Sequence, residues 1–213
     1  KNSLQNEALD LDSEMLLAYK NILYSKNIDY AEIVKVLTMP TANYVLQYVP
    51  NSDIVKIAAI LKKISKSIAK HLCKEFVEMY SQLKCEMPFQ YNYDQVKIRS
   101  MKNFCLQNLA LANYASFEDV CNKQYQTSDN MTEQIGVINA VVKSGNIELQ
   151  QKLFDDFYAK WQNDSLLVDK WLACQAVNSS PNALELINDL CKHESFSWLN
   201  PNRVRSLIGV FCA

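Results

Sequence analysis

Apolar residues recur every three or four positions along nearly the whole chain, and no segment shows the strict alternation of a half-buried strand. A polypeptide patterned this way has to lay helical stripes against other helices, because a helix with one apolar face must bury it on a neighbour. Punctuation is sparse: three glycines (Gly136, Gly145, Gly209) and five prolines interrupt the pattern. With 213 residues, 49% of them hydrophobic and 21% charged, the chain can bury a sizeable core as one large domain or two small ones.

Start and stop signals divide the pattern. A first helix is expected from about Ser13 to Ser25, with Met15, Leu16, Tyr19, Ile22 and Leu23 on one face. A second starts at Asp29, whose carboxylate can accept from the third helical N–H while Glu32 reaches back, and it ends before Pro40. Thr41 to Val49 forms a short third helix, stopped by Pro50. After the start signal at Ser52-Asp53, residues Ile54, Ile57, Leu61, Ile64, Ile68, Leu72, Phe76, Met79 and Leu83 predict the longest helix. It spans about 30 residues, or roughly 45 Å, and Pro88 follows its end. Asp94 to Ala115 comes next, with Val96, Met101, Phe104, Cys105, Leu109 and Ala112 on its apolar face, and then Phe117 to about Tyr125. Asn130 with Glu133 and Asn182 with Glu185 repeat the cap-and-return spacing, while Asn146 and Asn202 are expected caps without the return carboxylate.

The expected fold is therefore all-α, with about eleven helices joined by short turns. Antiparallel helix pairs stacked into an irregular superhelix or solenoid, HEAT- or armadillo-like but without a strict sequence repeat, satisfy that pattern. No linker cuts the chain, so residues 1–213 are expected to form a single helical domain.

A formal net charge of -1 gives no overall field to attract nucleic acid or anionic lipid, and charges break the apolar runs too often for a bilayer span. Lys62, Lys66, Lys70 and Lys74 form a stripe at helical spacing, read as a solvated face because no aromatic residues interleave it and acidic residues flank it. The stretch from Lys1 to Glu7 lacks the apolar core of a signal peptide. The seven cysteines (Cys73, Cys85, Cys105, Cys121, Cys174, Cys191, Cys212) are odd in number and contain no C-x-x-C pair. Their apolar helical contexts predict reduced, buried thiols and a cytoplasmic location.

Several longer phrases keep one order. They are Leu37-Thr38-Met39-Pro40-Thr41-Ala42-Asn43-Tyr44, Arg99-Ser100-Met101-Lys102-Asn103-Phe104-Cys105-Leu106, Asp129-Asn130-Met131-Thr132 and Phe157-Tyr158-Ala159-Lys160-Trp161. Asp169-Lys170-Trp171 and Asn200-Pro201-Asn202-Arg203-Val204-Arg205-Ser206-Leu207-Ile208-Gly209 follow. Together they resemble the C-terminal helical domain of bacterial-type aminopeptidase N, a zinc metallopeptidase that removes single residues from peptide N-termini. Leu172, where relatives commonly have Phe, and Cys174 are minor departures. The resemblance implies a fragment of a larger enzyme, with the catalytic domain upstream and further helices downstream. It also implies that this domain caps the catalytic domain of the same polypeptide, encloses an internal cavity and admits short, unfolded peptides. Arg205 matches the family position that faces the cavity and can contact the C-terminal side of a bound peptide; the other reading pairs Arg203 and Arg205 with acidic residues or carbonyls of neighbouring helices.

The family's chemistry needs H-E-x-x-H, two histidines one helical turn apart on zinc with a Glu activating its water. This chain has two histidines, His71 and His193, and Ser197 stands where His193-Glu194 would need its second histidine. The G-x-M-E-N loop that binds a substrate's free amino group is missing as well. No zinc site and no activity are expected of the chain alone; zinc belongs to the parent enzyme. His71 and His193 then read as structural, the latter in a last helical turn where it can meet orphan carbonyls. Asp169, Lys170 and Trp171 read as packing, Trp171 in an inter-helix gap and the two charges reaching to adjacent helices. The alternative function is a free-standing helical-repeat scaffold that binds protein partners.

Overall fold

A computed structural model of the protein describes residues 11–83, 88–177 and 182–212, and among them there are helices and no strands. Twelve α-helices and one π-helical turn are found among these residues. Two compact units divide at residue 120, inside the helix Phe117–Thr127.

In the first unit the helices are α1 (Ser13–Leu23), α2 (Tyr30–Leu37), α3 (Ala42–Leu46), α4 (Ile54–His71), α5 (Cys73–Gln82) and α6 (Tyr93–Ala112). The helix α6 is the hub, packing against α2, α4 and α5. Leu23, Ile33, Ile68, Phe76, Met101 and Leu106 are among the side chains wholly removed from water. Full burial of such side chains is worth about 1.5–3 kcal/mol each. Polar tethers fix α1: the Tyr19 hydroxyl donates to the Leu37 carbonyl at 2.6 Å, and Lys20 pairs with Glu75 of α5 at 2.7 Å.

The capping box at α2 forms as expected, with Asp29 accepting from Ala31 and Glu32 and the Glu32 carboxylate accepting from the Asp29 N–H. Asp53 caps α4 by accepting from the N–H groups of Val55 and Lys56, without a return carboxylate. The expected third helix is shorter, because after Leu46 the chain tightens into i→i−3 bonds from Tyr48 and Val49 before Pro50.

The expected 30-residue helix is instead two. Leu72 leaves helical geometry (φ −104°, ψ 21°), ending α4 and starting α5. No proline or glycine marks the break; Ile68, Leu72 and Phe76 on its two sides are all buried, and the bend lets both α4 and α5 lie on α6. At the break His71 Nδ1 sits 2.8 Å from the Ser67 carbonyl in the last turn of α4. Lys62, Lys66, Lys70 and Lys74 are exposed, as a solvated face requires. On α6, Val96 turns out to be exposed, and the polar Gln95 and Arg99 occupy the buried face instead. Arg99 donates to Gln95 at 3.0 Å and stacks on Phe89.

The second unit contains α8 (Met131–Ser144), α9 (Ile147–Trp161), α10 (Ser165–Ala176), α11 (Ala183–Leu190), α12 (Pro201–Val204) and the π-helical turn Arg205–Gly209 that continues α12, while α7 is Phe117–Thr127. Asn130, Asn146 and Asp164 cap α8, α9 and α10 through their side chains. Gly145 follows α8 at φ 75°, a left-handed turn that suits glycine and sends the chain directly into α9. Two expected caps differ. Asn182 makes no side-chain cap bond, and Asn200 rather than Asn202 caps α12 because Pro201 fixes the first helical position.

Among the cysteines, Cys105, Cys121 and Cys174 are buried as expected, but Cys73 and Cys191 are half-buried and Cys212 is exposed. Helical spacing places a thiol on a helix; only the neighbouring helix decides whether it is covered. Cys85 lies outside the described residues. No helix among the described residues is long and apolar enough to cross a membrane.

Candidate functional site

In the second unit, three of the phrases read from the sequence fold onto one another. The helix α12 starts where Asn200 Oδ1 accepts from the N–H groups of Asn202 and Arg203 at 3.0 and 3.4 Å. One turn on, Arg203 is buried and spends its guanidinium on four acceptors. Nε donates to the Ser195 carbonyl at 2.9 Å, Nη1 donates to the Ser165 carbonyl at 2.8 Å and to Asp169 Oδ1, and Nη2 reaches Ser165 Oγ at 3.5 Å. The planar fork of arginine suits this divergent set, which a lysine ammonium does not reproduce. Asp169 therefore reaches an adjacent helix, as expected, whereas Lys170 stays exposed.

Trp171 fills the expected gap. Its indole N–H donates to the Phe154 carbonyl of α9 at 3.1 Å, and its ring lies 4.8 Å from that of Tyr158 and 5.1 Å from that of His193. The Tyr158 hydroxyl in turn is 2.6 Å from Ser195 Oγ and donates to Glu194 at 3.1 Å. His193 lies in the turn beyond α11, and its Nδ1 accepts from the Ser195 N–H at 3.2 Å. That corrects the expectation for His193: it accepts from a turn N–H, and it is His71 that meets a helical carbonyl. The sequence phrases contain Tyr158 and Trp171, but nothing local joins them to His193 and Ser195. Asn130 is a helix start, accepting from the Glu133 N–H at 3.0 Å.

Arg205 has a different fate from Arg203. Arg203 and Leu207, four residues apart, both turn inward, Leu207 with no exposed surface at all, and the π-helical turn packs on α10. Arg205 lies between them in sequence, so helical periodicity sends it to the other side. There it is exposed and makes no side-chain hydrogen bond or ion pair with the described residues. Its own carbonyl accepts from the Val210 N–H five residues on, the bond that makes this turn a π turn.

Among the described residues no three His, Cys, Asp or Glu side chains gather into a possible metal site, and His71 and His193 lie in different units. Burial pushes the Cys105 and Cys174 thiols up to about 12, which keeps them protonated and unlike metal-binding thiolates.

Comparison with known proteins gives the arrangement a context. The chain is 33% identical over 209 residues to aminopeptidase N of Haemophilus influenzae, covering 97% of the chain and 23% of the relative. It is 28% identical over 207 residues to aminopeptidase N of Escherichia coli, covering 97% of the chain and 24% of the relative. It thus spans about a quarter of the length of the curated relatives it matches. Among solved structures, Legionella pneumophila aminopeptidase A, in complex with aspartic acid, shares the fold with a TM-score of 0.82 at 22% identity, over 97% of the chain and 25% of that protein. The family model described as a domain of unknown function (DUF3458_C) with ARM repeats matches residues 1–213, and the chain belongs to that family.

Proposed function

We propose that this chain is the helical C-terminal domain of a zinc-dependent aminopeptidase N that releases N-terminal residues from peptides in the cytoplasm. Its catalytic domain lies elsewhere in the same polypeptide. The carrying observation is that similarity to aminopeptidase N runs through nearly all of this chain while occupying only about a quarter of those relatives. In this reading the domain caps the active site, forms a wall of the internal cavity and controls access. An enclosed cavity rejects folded chains by size and strengthens electrostatic contacts by excluding water.

Arg205 is the wall residue we assign to the substrate. Its planar guanidinium has donors to spare, which suits a peptide's C-terminal carboxylate or a carbonyl near it. Zinc, held by the catalytic domain of the parent enzyme, would supply the Lewis-acid chemistry there, while the residues of this domain would bind and orient the peptide.

The test compares the intact parent polypeptide with the isolated chain and with a parent lacking the segment equivalent to residues 11–212. The intact protein is expected to hydrolyse aminoacyl chromogenic substrates and short peptides, and the isolated chain neither. The shortened protein, if it folds, should lose discrimination between short peptides and folded proteins with a free N-terminus. Turnover by the purified chain, or size discrimination unchanged without this segment, refutes the proposal. A natural reading frame without H-E-x-x-H upstream favours the free-standing scaffold instead.

A further inference from the structure

We infer that the buried Arg203–Asp169 pair is a positioning device for Arg205, holding its guanidinium at the depth and angle at which a peptide's C-terminal end is met. The inference rests on the proposed role of Arg205 in substrate binding and adds the residues that set its geometry.

Three observations carry it. First, Arg203 binds Ser165 and Asp169 of α10 and the Ser195 carbonyl in the turn beyond α11, so it joins the start of α12 to two separate pieces of backbone. Second, Leu207 is buried on the same face, so Arg205 is flanked by two inward anchors. A residue held between two such anchors has little freedom to roll about the helix axis. Third, the π turn begins at Arg205, with the Val210 N–H on the Arg205 carbonyl. A π turn changes the register of every residue after it, and such turns are rare and frequently found at functional sites. Here the change comes after Arg205, so the direction of Arg205 itself is set by the anchor before the turn.

A buried pair of this kind is poor evidence for stability, since apolar residues of similar volume often serve as well. Holding a neighbouring charge in one place is a use that apolar packing does not replace, because the planar guanidinium fixes both distance and angle. Asp169 and Arg203 touch no substrate in this scheme. They act only through Arg205.

The experiment uses the intact parent enzyme and measures KM and kcat for a tripeptide and for a single aminoacyl anilide. Arg205→Ala is expected to raise the peptide KM by about tenfold or more, the loss of one charge-assisted contact, with the anilide unchanged. Asp169→Ala should raise the peptide KM several-fold in the same selective way, and Asp169→Asn, which keeps an acceptor oxygen, should restore part of it. The double variant Asp169→Ala/Arg205→Ala should be no worse than Arg205→Ala alone, since Asp169 acts through Arg205. If Asp169→Ala fails to fold, Arg203→Lys, which keeps the charge but loses the fork, takes its place.

If Arg205→Ala is selective for peptides while Asp169→Ala and Arg203→Lys change only melting temperature, the positioning role is wrong and the binding role of Arg205 stands. Additive effects in the double variant overturn the positioning role too. If Arg205→Ala affects peptide and anilide equally, the binding role fails and the positioning role falls with it.

Discussion

Trp171 offers the sharpest test of how the second unit is held together. Replacing it by Phe keeps an aromatic ring on α10 and removes the indole N–H that donates to the Phe154 carbonyl at 3.1 Å. That hydrogen bond is worth about 1 kcal/mol net. The Phe154 carbonyl lies inside α9 and keeps its helical partner, so it is not left orphaned. The indole also meets two rings, Tyr158 at 4.8 Å and His193 at 5.1 Å, and a phenyl ring is too short to keep both. Losing one such pair costs about 0.5–1.5 kcal/mol. Together Trp171→Phe should weaken the unit by about 2 kcal/mol, and Trp171→Ala, which also leaves a cavity, by about 3–5 kcal/mol. Hydrogen exchange resolved to peptides of α9 and α10 reads this directly, without assuming that the whole chain unfolds in one step. About 2 kcal/mol corresponds to roughly thirtyfold faster exchange of the amides that open with this unit. Exchange within about threefold of the unsubstituted protein in Trp171→Phe, at about 0.6 kcal/mol, refutes the reasoning: the indole would then be a bystander of a contact made by other groups.

Asn113 ends α6 at φ 56° and ψ 48°, with the Tyr114 N–H returning to the Leu109 carbonyl at 3.1 Å. Asn113→Gly should hold or raise the melting temperature, and Asn113→Val should cost about 1–2 kcal/mol; equal melts for the two variants contradict the left-handed assignment. Thiol labelling near pH 8 should modify Cys212 readily and leave Cys105 and Cys174 until the protein unfolds, as their exposure and burial require. Both buried thiols titrate at about 12 in the fold, above their unfolded value. Their contribution is therefore whole below about pH 8.5 and is lost as the pH climbs toward 12, and Cys105→Ala with Cys174→Ala should flatten that alkaline loss in pH-dependent unfolding.

What the sequence makes legible follows the reach of each interaction. The caps at Asp29, Asp53, Asn130 and Asn146 are made within three residues, so the residue types alone announce them. The cap of α12 carries a local signal that the expectation of Asn202 missed: Pro201 belongs at the first helical position and so points to Asn200. The break at Leu72 is not written locally at all. Its residues have ordinary helix preferences, and the bend serves contacts with α6, some thirty residues further on. Lone amphipathic spacing extends a helix through such a point because it records which side is apolar and not whether the partner surface is straight.

Arg203 and Arg205 show the same limit at a single site. Two residues apart on a helix, they face opposite ways, and that much follows from periodicity. Which of them turns inward depends on Asp169, Ser165 and Ser195, and only the folded chain gathers those acceptors around one position. A guanidinium is costly to bury unless its donors are met, so the inward place goes to the arginine that finds several acceptors, and the other is left with its charge available. Arg205 is the exposed one, and its free guanidinium is what the proposed contact with a peptide would use.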